Sequence, residues 1–551
     1  MGVDAVVVIP ARDEEARIEG CLRALASQTL AKERFATVVV LDSCRDRTAE
    51  VVTRVAGELG LAVTTLAGPG EGAGAARRIG MNAACDQLLS AGVPQGLIAC
   101  TDADSRPTPD WLDRQLEHVA SGARAIAGLI ELEADEAGLL PAGVMERRAR
   151  DAEARLEQVR SVDPAADHHH AAGASLAVTA ETYREVGGIE PLRALEDAGF
   201  AERLAQYQVP LLRPADVRVV TSARADGRVA RGLSVDLALS TWFERRRYRA
   251  GDFGADQLRA CKRATTVTVI VPAKECADTV AGVLRQTVEP LSRAGLVDEV
   301  VVVDAASADA TGEIAARAGA RVLQQDQIAP ELGPALGKGD AMWRALRETS
   351  GDVVCFLDAD TVDPNPDHLL GLLGPILTDE SVALVKGAFE RPLDTGTGKI
   401  PHEGGRVTEL MARPLLNLHA PLLAGFAQPL AGEIAARRDL LEQLPFPVGY
   451  GVEIAMLVDA LHIRGLDALA ECDLGTRQNR HQPLRALGEM AYAVLAAVEN
   501  RVPERAASAC ASGARYMRPW EDGLVASVPV KERPPIRARD RPASRRLTSS
   551  A

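Results

Sequence analysis

A chain of 551 residues with 63 Lys and Arg against 77 Asp and Glu carries a formal net charge of −14, which excludes a general nucleic-acid binder, because a phosphate-binding face needs a basic excess. The length exceeds one ordinary domain and, at about 150 residues per domain, fits two large ones plus extensions. Nine cysteines stand singly between Cys21 and Cys510, without zinc-site spacings or disulfide density, and no run approaches ~20 apolar residues; the expectation is a cytoplasmic protein with reduced thiols, no export signal and no membrane span.

The first predicted strand, Val6-Val7-Val8-Ile9-Pro10-Ala11, is a β-branched run closed by proline, and a helical pattern follows over 14–26. A second apolar strand over 37–41 ends at Asp42, and a third over 97–101 ends in Asp102-Ala103-Asp104. The same order then begins again. Val267-Thr268-Val269-Ile270-Val271-Pro272-Ala273 is closed by proline, a helical pattern covers 278–291, the strand over 299–303 ends at Asp304, and that over 353–357 ends in Asp358-Ala359-Asp360. Pro10 to Asp42 and Pro272 to Asp304 each span 32 positions, so the chain reads as an internal repeat.

Fully apolar strands alternating with helices predict an α/β fold with a mainly parallel sheet covered on both faces, present twice in tandem. The boundaries read as a first domain over 1–225, a helical joining segment over 226–265, a second domain over 266–505, and a disordered tail over 506–551. Within the joining segment, Trp242 to Tyr248 looks helical and amphipathic, able to pack on either domain. The tail is rich in proline, arginine and serine, a composition that cannot bury a core.

Ligands of such sheets sit beyond the C-terminal strand ends, where Asp42, Asp102, Asp304 and Asp358 fall. Paired carboxylates at a strand end suit Mg²⁺ or Mn²⁺ held against a nucleotide diphosphate. An isolated Asp-x-Asp is more often a capping or turn element. Here each pair follows a strand, comes third in a repeated unit, and stands downstream of an aspartate suited to a nucleoside.

Together these features resemble the GT-A glycosyltransferases. The resemblance implies donor contacts at Pro10, Asp42, Asp102 and Asp104 in the first domain and at Pro272, Ala273, Glu275, Asp304, Asp358 and Asp360 in the second. It implies metal ligands at Asp102, Asp104, Asp358 and Asp360.

The second half matches more narrowly. Gly337-Lys338-Gly339-Asp340, Gly404-Gly405-Arg406-Val407-Thr408-Glu409 and Gly449-Tyr450-Gly451-Val452-Glu453 occur in the order seen in the glucosyl-3-phosphoglycerate synthases, and 267–501 resembles that family. The resemblance places Lys338 against the nucleotide sugar and Gly405, Arg406, Val407 and Thr408 on a small anionic acceptor such as 3-phosphoglycerate. Tyr450 and Glu453 fall near the transferred sugar, Glu453 and Lys338 being the catalytic pair. A lysine on a glycine-flanked turn suits a diphosphate leaving group, and a glycine-rich helix start with a guanidinium and a hydroxyl suits an anion. The family transfers with retention, and dimerises. The expected donor is UDP-glucose, with a GDP-sugar as the alternative.

Three positions depart from the family pattern, one of them Ala359, which stands where the family has a serine between the two aspartates. The family's nucleotide-contacting glutamate falls on Cys276, one residue after Glu275, and its metal-binding histidine falls on Asn479, with His481 two residues later as the replacement ligand.

In the first half, Gly70 to Arg78, His168-His169-His170 and Glu196-Asp197 resemble the inverting family-two glycosyltransferases, which makes Asp197 the acceptor's base. Adjacent histidines point in different directions and cannot all reach one ion. The competing readings are a diverged transferase with another donor or acceptor, and a half that binds or assembles without turnover. A nucleotidyltransferase would need a glycine-rich activating loop that neither Pro10-Ala11-Arg12-Asp13 nor Pro272-Ala273-Lys274-Glu275 supplies.

Overall fold

The structure, a computed structural model, describes residues 3–192, 196–224, 232–394, 398–400, 404–477 and 483–502, with short backbone stretches at 514–518, 524–528, 532–533 and 536. It forms two compact units, Met1–Glu244 and Arg245–Ala551, dividing inside the stretch read from sequence as the joining segment. The segment expected to be a disordered tail lies largely outside the described residues.

In the first unit the strands are β1 (Ala5–Ala11), β2 (Phe35–Leu41), β3 (Val63–Ala67), β4 (Leu97–Cys100), β5 (Ser105–Pro107), β6 (Ala125–Ala127), β7 (Leu129–Leu132), β8 (Leu176–Thr179), β9 (Leu211–Leu212) and β10 (Arg218–Thr221). One sheet runs β3-β2-β1-β4-β8-β6-β9 and a smaller one β5-β10-β7. β1 lies parallel between β2 and β4, with Pro10 opposite Val40 and Val8 opposite Cys100. All three strands therefore end on one edge. Val7 and Ile9 pack into one apolar layer and Val6 and Val8 into the other, because successive side chains face opposite sides of the sheet. That two-sided burial is why β1 is apolar throughout. Three helices matter below: α1 (Ala73–Ser90), α2 (Glu196–Gln206) and α3 (Leu233–Arg245).

The second unit repeats the plan with β11 (Arg247–Arg249), β12 (Val267–Ala273), β13 (Glu299–Asp304), β14 (Arg321–Gln324), β15 (Val353–Phe356), β16 (Leu384–Glu390), β17 (Ile434–Arg437) and β18 (Leu469–Thr476). Their order is β11-β18-β16-β17-β15-β12-β13-β14. β12 is parallel to β13 and β15, and β17 inserts antiparallel between β15 and β16. Its site helices are α4 (Lys338–Arg347) and α5 (Val452–Arg464).

The stretch 242–248, read as one amphipathic helix, is divided. α3 stops at Arg245, and Arg247–Arg249 pairs in parallel with β18. The residue between explains the break. Arg246 is buried, with its guanidinium donating to Asp379 at 2.6 Å, to Asp467 at 2.9 and 3.0 Å, and to Ser381 at 2.9 Å. Those bonds give a desolvated charge its partners only when the backbone leaves the helix. No helix among the described residues is long and apolar enough to cross a membrane.

Candidate active site

In the second unit, β15 runs out at Phe356 and the chain continues through Leu357 into Asp358 and Asp360. α4 opens opposite them. Gly337 before it has φ +141°, a conformation that side chains disfavour, and Leu336 donates its backbone N–H to Asp340 at 3.0 Å. Asp340 is fully buried and paired at 3.2 Å with Arg344, itself fully buried. This locked first turn aims Lys338 inward.

The Lys338 ammonium bridges Asp358 Oδ1 at 2.6 Å and Glu453 Oε1 at 2.8 Å, Glu453 standing in the first turn of α5. The structure thus brings together three residues that lie far apart in sequence. Gly432 makes the space: a Cβ there would overlap both Asp358 Oδ1 and Lys338 Nζ. Burial opposes charge on Lys338, yet Asp358 and Glu453 outweigh it and hold the ammonium protonated well above the ordinary lysine range. Burial likewise opposes ionisation of Asp358, but Lys338 and Arg477 draw its pKa down to about 2. Asp360 moves the other way, raised by burial and by the neighbouring Asp358 carboxylate.

Behind the tip lies a second buried polar layer that sequence reasoning missed. Glu433, which precedes β17, pairs with Arg477, which follows β18, and Arg477 also bonds Thr361. Its guanidinium lies 4.9 Å from the centre of the Phe389 ring. Lys386 on β16 is fully buried and donates to the Ala431 carbonyl; desolvation lowers its pKa to about 7. A charged residue on an otherwise apolar strand, as in Leu384-Val385-Lys386-Gly387, was the available signal.

The remaining expected residues sit around this tip. Pro272 and Ala273 end β12. Asp304 ends β13, accepting from the Ser307 backbone at 3.1 Å and from Gln324 at 2.9 Å. Glu275 has φ +53° and accepts the Ala308 N–H at 2.8 Å, while the Cys276 N–H donates to Thr311 Oγ1 at 2.9 Å. Gly405 precedes a helical stretch over 406–419 that contains a π-helical turn at Thr408–Ala412, an irregularity frequent at functional sites. Thr408 is buried and Arg406 half-buried; Val407 stands between them. Tyr450 is about half exposed in the turn before α5. His481, with Asn479, lies outside the described residues.

The first unit places its own residues in a corresponding constellation. Pro10 sits near the end of β1, and Asp42 follows β2, its carboxylate taking the N–H of Gly70 at 2.6 Å and of Gly72 at 3.1 Å. Arg77, buried in α1, donates to Asp102 at 2.6 Å and to Glu196 at the start of α2. Gly173 leaves the room, since a Cβ there would overlap the Arg77 guanidinium. Asp104 pairs at 2.9 Å with Arg224. Asp197 accepts the backbone N–H groups of Gly173 at 3.0 Å and Ala198 at 2.8 Å. Arg77 lies in the stretch Gly70 to Arg78 that the sequence singled out, but its partners did not show there, and Arg224 escaped sequence analysis, because each arginine meets its aspartate only through tertiary folding.

The histidine run is structural in its contacts. His170 Nδ1 accepts the Ile130 N–H at 3.0 Å, and His168 Nδ1 accepts the His170 N–H at 3.1 Å. Desolvation lowers the pKa of His168 to about 4 and of His170 to about 3. Both rings are neutral when folded and bind protons more readily when unfolded, so their contribution is full above about pH 6.5 and is lost as pH falls toward 4. Calorimetry is expected to show an unfolding midpoint that declines from pH 7.5 to 5.0, with a flatter decline in His170→Asn, which keeps an acceptor but does not titrate.

The family model described as glycosyl transferase family 2 matches residues 6–175 and again 268–428. The glucosyl-3-phosphoglycerate synthase of Mycolicibacterium smegmatis is 42% identical over 284 residues, covering 51% of this chain and 91% of that protein. That of Mycobacterium tuberculosis is 43% identical over 286 residues, covering 51% and 85%. A crystal structure of the M. tuberculosis enzyme with Mn²⁺, UDP-glucose and phosphoglyceric acid is similar at 40% identity and a TM-score of 0.47, covering 52% of this chain and 95% of that one.

Proposed function

The chain belongs to glycosyl transferase family 2 and is a glycosyltransferase; from that premise we propose that its second unit moves glucose from UDP-glucose to 3-phosphoglycerate or a related small anionic acceptor. The observation that carries this reading is Lys338 held between Asp358 and Glu453 at the end of β15. Identity above 40% to the glucosyl-3-phosphoglycerate synthases over about half the chain supports the substrates.

The tip also suits a divalent cation. Asp358 and Asp360 are crowded enough to raise the pKa of the latter, and Gly432 leaves the floor beside them without a side chain. Asp358 and Asp360 would hold Mg²⁺ or Mn²⁺, with His481 as the further ligand on the sequence reading, and the ion would supply charge to the diphosphate of the donor. An ammonium has three N–H donors. Lys338 gives two to carboxylates, which fixes the third toward the leaving phosphate. Glu453 accepts from a hydroxyl of the glucose with its other oxygen and Tyr450 borders it. Pro272, Ala273, Glu275 and Asp304 line the nucleoside side; Gly405, Arg406, Val407 and Thr408 take the acceptor's anionic groups.

Transfer with retention fits these groups, because attack on the face from which the diphosphate leaves depends on positioning and charge more than on a strong protein base. The first unit is a second transferase in this reading, with Asp197 as base and Pro10, Asp42, Asp102 and Asp104 on its donor side. The departure at Cys276 favours a donor panel over UDP-glucose alone.

Release of nucleoside diphosphate from UDP-glucose and GDP-sugars, with and without 3-phosphoglycerate and Mn²⁺, tests the proposal. UDP release that requires both is expected, and Asp360→Ala is expected to lower it at least ~100-fold. Unchanged release in that variant would sink the site assignment.

A further inference from the structure

The two units can be compared residue by residue through their own contacts. Leu176 of β8 lies opposite Cys100, and Ile434 of β17 opposite Phe356. The N–H of Glu14 donates to Thr48 Oγ1 at 2.7 Å as that of Cys276 donates to Thr311 Oγ1. Glu14 and Cys276 are therefore counterparts. So are Arg77 and Lys338, each a cation held between the first aspartate of the tip and a glutamate in the first turn of the following helix.

The counterparts differ at the second aspartate. In the first unit, Arg224 grips Glu14 with two N–H groups, at 2.6 and 3.1 Å, and Asp104 at 2.9 Å. This is a two-pronged guanidinium–carboxylate clamp, among the strongest charged contacts available to side chains, and its three members are mostly buried. Arg224 also stands three residues beyond β10. That strand runs parallel to β7 as β18 runs parallel to β16, and the chain beyond β18 is where the sequence reading placed the further metal ligand. In the second unit Cys276 supplies no carboxylate to hold such an arginine, and Arg477 after β18 turns to Glu433 and Thr361 instead.

We infer that the acidic tip of the first unit takes no divalent cation, Arg224 filling the place of one, and that of the two tips only Asp358 and Asp360 load Mn²⁺, the latter resting on the function proposed above. A guanidinium is permanently charged, so it compensates Glu14 and Asp104 at any physiological pH, and an ion would have to displace it from both. The expectation from sequence that both acidic tips bind metal thereby narrows to one.

Mn²⁺ bound per full-length chain, counted by electron paramagnetic resonance with and without UDP, tests this. One equivalent is expected in the wild type and in Asp104→Asn, and none in Asp360→Asn. Arg224→Gln, which opens Glu14 and Asp104, is expected to gain a second equivalent. Two equivalents in the wild type with one lost in Asp104→Asn overturns the inference, as does failure of Arg224→Gln to gain one while calorimetry shows it folded. The Asp360 arm separately tests the metal reading of the second unit, so the two can fail independently.

Discussion

Replacing Lys338 with methionine is expected to lower kcat for UDP-glucose and 3-phosphoglycerate by about 10²–10³-fold, the loss typical when one preorganised donor to a developing anion is removed. The apolar chain of methionine fills most of the lysine's volume but donates nothing. It also leaves Asp358 and the buried Glu453 without the cation between them, and an uncompensated buried carboxylate costs several kcal/mol unless it takes up a proton. Activity in the variant should therefore rise more steeply with pH than it does in the wild type, because the carboxylate left without the ammonium must first lose its proton. Steady-state kinetics from pH 6 to 9 check both points. A kcat within a factor of about three of the wild type would remove Lys338 from the machinery.

Gly432→Ala is expected to reduce transfer by at least about 100-fold, the scale on which an ångström of misplacement acts at a reacting centre. The added Cβ would fall on Asp358 Oδ1 and Lys338 Nζ, so one or both ends of that ion pair must move. Gly251→Ala is the control: a Cβ there meets nothing within 4 Å, and full activity is expected. Comparable losses in both variants would show that the effect at Gly432 is not local to the site.

The parts of this architecture that were legible in the sequence are those set by local pattern. β1 and β12 announce themselves because a strand buried on both faces must be apolar at every position, and the proline closing each falls where the chain leaves the sheet. The equal spacing from Pro10 to Asp42 and from Pro272 to Asp304 is the length of one strand–helix–strand crossover, although the register differs by one residue: Ala11 lies opposite Leu41, and Ala273 opposite Asp304. The acids after β4 and β15 followed from the rule that ligands gather at the C-terminal ends of parallel strands.

What stayed hidden depends on antiparallel insertion and on contacts between distant segments. Gly432 and Glu433 reach the tip because β17 runs back between β15 and β16, a placement with no periodic signature. Arg224 lies far along the chain from Glu14 and Asp104, and nothing near it marks it as a partner. The stretch 242–248 misled because its mix of aromatic and arginine residues reads as an amphipathic helix, whereas the destination of Arg246 between Asp379 and Asp467 decided the break. Helical propensity is a weak prior against a buried, fully bonded guanidinium.

Joining of glucose to a phosphorylated acid by way of the Lys338–Asp358–Glu453 tip, as proposed for the second unit, has a direct readout. Proton NMR of the full-length chain mixed with UDP-glucose, 3-phosphoglycerate and Mn²⁺ addresses it most directly. The predicted spectrum shows a new α-anomeric proton appearing in step with UDP and absent with Lys338→Met. Free glucose as the sole sugar product, a β-anomeric proton, or no consumption of the donor would overturn the function proposed for the second unit.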